Sequence, residues 1–102
     1  MEKMSLTSEA KKLIADLIKD PIIFMHRSGC ACGSLCTFVD YGSKTSVEPT
    51  IRKLSLQEIG EVEGIPVFVN DRLKSYLGHA RIQTLTIGAD TALETLTVTL
   101  TR

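Results

Sequence analysis

Apolar residues recur at helical spacing near the start of the chain, where Ala10, Leu13, Ile14, Leu17 and Ile18 fall on one face. Thr7 is suited to cap this predicted helix, and Glu9 lies in its first turn, where a carboxylate meets the favourable end of the helix dipole. Asp20-Pro21 ends it, because the residue before a proline is pushed out of the α region. From there the pattern becomes that of strands. Ile22 to His26 is a continuous run rich in β-branched and aromatic residues, Arg27-Ser28-Gly29 breaks it, and Leu35 to Tyr41 is a second strand. Gly42 to Ser46 is polar and predicts a loop, with Pro49 unsuited to a central strand. Ile51 to Glu58 alternates weakly, as a half-buried strand does. A turn at Glu63-Gly64 leads into a strand over Ile65 to Val69.

Asn70 is placed to cap a short helix, Asp71 to Leu77, closed by Gly78. Arg81 to Ile87 and Leu93 to Thr101 then form a hairpin around Gly88-Ala89-Asp90-Thr91. In its second strand Leu96, Val98 and Leu100 alternate with Thr95, Thr97, Thr99 and Thr101, which predicts one face in the core and one in water. Hairpins predominate over βαβ crossovers, so the expected fold is α+β: compact, β-rich, of mixed or antiparallel sheet, with an N-terminal helix and a second short helix. A chain of 102 residues without an internal linker is one domain, 1–102.

Composition narrows the partners. Twelve basic residues balance twelve acidic ones, leaving no electrostatic footprint for nucleic acid or an anionic membrane. Near-zero net charge permits self-association, so a homo-oligomer, a dimer in the simplest case, is expected. No apolar stretch approaches a bilayer span and the first residues lack a secretory apolar segment, which makes the cytoplasm the expected location.

The distinctive chemistry is Cys30-Ala31-Cys32-Gly33-Ser34-Leu35-Cys36, a C-x-C-x₃-C loop between two predicted strands. Thiolates are soft ligands suited to zinc, copper(I) and iron–sulfur clusters, and Gly29 and Gly33 let the backbone turn sharply enough for them to converge. A closed zinc site needs a fourth ligand. His26, four residues upstream of Cys30, is the candidate, with His79 able to reach only through the fold. The expectation is therefore a metal or cluster site on Cys30, Cys32, Cys36 and His26, completed within one subunit or by pooling thiolates between subunits. Iron or an iron–sulfur cluster leads, with zinc as the alternative. The motifs of P-loops, nucleophile elbows and zincins are absent, so a binding protein is favoured over an enzyme. Two other readings stay open: a thiol redox protein using the same cysteines, and a non-catalytic interaction module pairing through a sheet edge.

Several motifs, in order along the chain, resemble the HesB/IscA-type iron–sulfur carriers. These are Leu6-Thr7-Ser8-Glu9-Ala10, Ser28-Gly29-Cys30, Phe38-Val39-Asp40, Gly64-Ile65-Pro66-Val67-Phe68-Val69-Asn70 and Tyr76-Leu77-Gly78. Gly60 to Pro66 and the multi-cysteine loop are also similar to a related uncharacterised family encoded beside aldehyde dehydrogenases. The resemblance implies a compact β-rich fold, oligomeric binding of iron or a cluster, and partners among iron–sulfur assembly or recipient proteins. The carriers' loop cysteine would fall on Cys30 or Cys32. Their second cysteine pair, Cys-Gly-Cys, has no counterpart here, so Cys32 and Cys36 would have to substitute for it.

Overall fold

The computed structural model describes residues 3–15, 19–29 and 35–102. Its elements run β1 (Lys3–Leu6), α1 (Ser8–Ala15), β2 (Pro21–Gly29), β3 (Leu35–Ser43), α2 (Lys44–Lys53), β4 (Gln57–Val62), β5 (Ile65–Val69), α3 (Asp71–His79), β6 (Thr84–Asp90) and β7 (Thr95–Thr101). They form a three-stranded sheet, β1-β6-β7, and a four-stranded sheet, β3-β2-β5-β4. Both are mixed: β1 runs parallel to β6 and β2 parallel to β5, while the remaining pairs are antiparallel. The expected α+β class is what the chain adopts.

The inner faces of the two sheets enclose the core. Ile23 and Met25 of β2, Val67 and Val69 of β5, and Leu85 and Ile87 of β6 are fully buried there. Ala10 and Ile14 of α1 and Leu73 and Leu77 of α3 complete it. Away from the ladders, β3 lies against β7 and β1 against β4, so the sheet edges face one another. The open edge anticipated as a pairing site is thereby partly occupied by the chain itself.

Local signals account for most helix ends. The Thr7 hydroxyl accepts from the Ala10 N–H at 3.3 Å, as a cap should. The described part of α1 stops at Ala15, and the expected contributions of Leu17 and Ile18 lie outside the described residues. At the other end of the chain, Glu63 and Gly64 both have positive φ, 50° and 81°, the backbone of a two-residue hairpin turn between β4 and β5.

Three expectations need correction, and one strand lies outside the expected pattern. Lys3–Leu6 is a strand, four residues too short to show a period, and takes its place by pairing with β6. Arg27-Ser28-Gly29 continues β2 rather than breaking it, because each residue has a partner on β3. Gly42 and Ser43 end β3, and Lys44–Lys53 is a helix rather than loop and strand: Ser43 caps it by accepting from the Ser46 N–H at 3.3 Å, and buried Val47 anchors it over Gly42. Gly78 stays helical, and the chain leaves α3 through Ala80 and Arg81, the latter at φ 55°.

Candidate functional site

Strand alternation decides which side chains β2, β3, β4 and β5 present outward. Directly paired residues share a face. The pairs Ile23–Tyr41 and Ile23–Val67 point into the core, so Phe24, Asp40 and Phe68 point out in one row, with Glu58 paired to Phe68 at its end. The next row holds His26 and Phe38, and the one after it Ser28 and Cys36. On the other side of Phe68, Pro66 pairs with Glu61. At the far end Ile22 is buried beside Gly42, where α2 covers the sheet with Val47.

The chain has three phenylalanines, and all three lie on this outer face. None belongs to the core cluster or packs against it. Phe24 and Phe68 are half-buried and Phe38 is 43% exposed. The His26 ring stacks on Phe38, with centroids 4.9 Å apart and 22° between planes. The outer face of the other sheet shows what an ordinary solvated surface looks like in this protein. There Ser5, Thr84, Thr86, Thr97 and Thr99 occupy the outward positions, and Ser5 Oγ donates to Thr86 Oγ1 at 3.2 Å.

The charges that the strands place on the aromatic face share one sign. Outward strand positions supply Asp40, Glu58 and Glu61 but no lysine or arginine. Lys44, at the start of α2, borders a cavity of about 450 Å³ with Phe68, Pro66, Ile22 and Glu58.

The inward-pointing neighbour of His26 builds a second, different site. Arg27 leaves β2 towards α3, where its guanidinium carbon lies 3.7 Å from the Tyr76 ring centroid and Nη1 donates to Thr37 Oγ1 at 2.9 Å. Its backbone is held by Asn70. The Arg27 N–H donates to Asn70 Oδ1 at 3.0 Å, Asn70 Nδ2 donates to the Arg27 carbonyl at 3.1 Å, and Oδ1 also accepts from Leu73 N–H at 3.0 Å. Arg27, Asp71, Arg72, Ser75, Tyr76 and His79 line a cleft of about 440 Å³.

The expected metal site is overturned. Among the described residues no three His, Cys, Asp or Glu side chains come together as a metal would require. Cys36 is a free, half-buried thiol whose cross-strand partner is Ser28. His26 is engaged with Phe38, while His79 lies in the Arg27 cleft beneath the opposite face of the same sheet. One sheet therefore separates the two histidines that spacing alone left free to converge. Metal or iron–sulfur binding as the function of the cysteine loop does not stand, nor do iron, an iron–sulfur cluster or zinc as its cofactors. Cys30 and Cys32 lie outside the described residues.

Sequence reasoning missed both clusters that the fold does assemble. In β2 apolar residues occupy both parities, which suits a strand covered on two sides, and α2 covers only the Ile22 end. Arg72, Ser75, Tyr76 and His79 do recur at helical spacing, but nothing in the sequence points Arg27 towards them.

Comparison with known proteins supports the fold. No family description and no curated protein matches the chain. A solved structure does: "Crystal structure of a putative Fe-S biosynthesis protein from Lactobacillus salivarius with novel protein fold". The two superpose with a TM-score of 0.56 at 16% identity, over 95% of this chain and 84% of that one. At that identity the likeness is one of fold. No helix among the described residues is long and apolar enough to cross a membrane.

Proposed function

We propose that this protein is a binding module rather than an enzyme, which docks a partner protein against the outer face of its four-stranded sheet. The observation that carries the reading is the placement of Phe24, Phe38 and Phe68, every phenylalanine of the chain, on one outward surface outside the core. Aromatic side chains left half-bare in a contiguous patch mark interaction sites, because each can remove a large apolar area from water once covered. Asp40, Glu58 and Glu61 add a rim of one sign, so the partner that fits presents apolar side chains flanked by lysine or arginine. A second copy of this chain fits less well, since the same face offers no basic strand residue to meet those carboxylates.

The process in which such docking serves is iron–sulfur biosynthesis, on this proposal. Support comes from the shared fold with the Lactobacillus salivarius protein and from the ordered motifs that resemble HesB/IscA-type carriers. The chain would be a divergent relative that contacts assembly or recipient proteins.

A photo-crosslinking residue in place of Phe38, used in cells, tests the proposal. The expected product joins the chain to an iron–sulfur assembly or recipient protein. Phe24→Asp removes the adduct, and the same probe at Thr97, on the other sheet, does not give it. The isolated complex should weaken as salt is raised, because the rim charges are exposed. Adducts that survive Phe24→Asp, form equally from Thr97, or contain only a second copy of this chain would refute it.

A further inference from the structure

The cleft between β2 and α3 lies on the opposite side of the sheet from the aromatic face and has a chemistry of its own. Arg27 is fixed there from every direction. Its backbone N–H and carbonyl are both bonded to the Asn70 amide, Nη1 is bonded to Thr37, and its guanidinium carbon lies 3.7 Å from the Tyr76 ring centroid. A guanidinium so restrained has already lost the side-chain freedom that an arginine ordinarily gives up on binding a ligand. Yet it has no acidic partner: the ion pairs among the described residues are Lys11 with Glu63 and Arg52 with Glu48.

The other walls supply further donors. Arg72, Ser75, Tyr76 and His79 recur at helical spacing along α3 and line the same cleft. Arg27 and Arg72 outweigh the single carboxylate of Asp71, and the Ser75 hydroxyl and His79 imidazole offer further donors. Among the described residues, Thr37 engages one of the five N–H groups of Arg27, which leaves the rest of the fork to an anion. The cleft is open to solvent, with about 440 Å³ of room for a small ligand.

We infer that this cleft binds the phosphate group of a small phosphomonoester, with Arg27 and Arg72 as its charged contacts. A tetrahedral oxyanion with several acceptor oxygens fits two forked cations and two lateral donors better than a planar carboxylate does. The inference stands independently of the docking reading, since no cleft residue belongs to the aromatic face.

The test is an NMR titration of the intact chain with inorganic phosphate and with phenyl phosphate, beside benzoate and chloride at matched ionic strength. Both phosphates should shift the resonances of Arg27, Arg72, Tyr76 and His79 saturably, with phenyl phosphate binding more tightly than benzoate. Arg27→Gln and Arg72→Gln should each weaken phosphate binding by about tenfold or more. Arg72 is exposed, so its variant retains the fold and decides the matter should Arg27→Gln lose its dispersed spectrum. Absence of saturable shifts with either phosphate, equal affinity for benzoate, or unchanged affinity in Arg72→Gln overturns the inference.

Discussion

Replacing Asn70 with alanine should loosen α3 from β2, and the structure allows the loss to be worked out. β5 pairs with β2 in parallel only from Val67 to Val69, and the chain then turns into α3. Beyond that point the β2 backbone keeps β3 on one side but has no strand on the other. The Asn70 side chain takes the missing strand's place, offering Arg27 both an acceptor and a donor while its Oδ1 also caps α3 at Leu73. Losing the cap costs about 1 kcal/mol. The two part-buried Arg27 backbone groups cost about 0.5–1.5 kcal/mol each. The sum, about 2–4 kcal/mol, is a large part of a small domain's stability. Urea unfolding followed by circular dichroism measures it, with the slope unchanged if only stability moves. Asn70→Asp keeps the acceptor for both N–H groups but turns an oxygen towards the Arg27 carbonyl, so it should fall between alanine and the native chain. A loss under about 0.5 kcal/mol for alanine would refute the reasoning, as would an aspartate variant less stable than the alanine one.

Two further outcomes follow from packing and ionisation. A Cβ at Gly42 would stand 2.7 Å from Cγ2 of buried Val47, so that one of them must shift; Gly42→Ala should therefore cost about 1–3 kcal/mol, seen as a lower Tm, and Val47→Ala in the same chain should recover part of it. Burial raises the Tyr41 phenol above its ordinary value, helped by the nearby charges of Asp40 and Glu94. The folded state thus holds this proton more tightly than the unfolded one, so its contribution is complete below the ordinary tyrosine range and is lost as pH rises through that range towards the folded value. Tyr41→Phe should flatten the alkaline decline in stability relative to the native chain, and identical slopes would contradict the assignment.

The two clusters on β2 illustrate how one strand can serve two surfaces. His26 and Arg27 are adjacent in sequence, yet alternation sends the first to the aromatic face and the second to the α3 cleft. Substitutions at Phe38 or Phe24 and at Arg72 should accordingly act on separate binding events, without the coupling expected of residues in contact.

Much of the scaffold is legible in the residues themselves, where the determining interaction is local. Thr7 and Asn70 announce helix starts because a side-chain oxygen can reach an N–H three residues on. Glu63-Gly64 announces a turn because the backbone there needs positive φ. The Leu-Thr alternation of β7 announces which face is wet. Tertiary structure alone decided the rest. Lys3–Leu6 is a strand because β6 is there to pair with it, and Lys44–Lys53 is a helix because Val47 finds cover over Gly42. The cysteine spacing advertised a ligand cluster, but convergence of His26, Cys36 and His79 depends on which face of a sheet each occupies, and the fold sets the two histidines on opposite sides. That Asn70 completes the β2 ladder, and that three phenylalanines remain outside the core, follow from where β5 stops and how far α2 reaches. Those are distances between segments far apart along the chain, and local patterning carries no information about them.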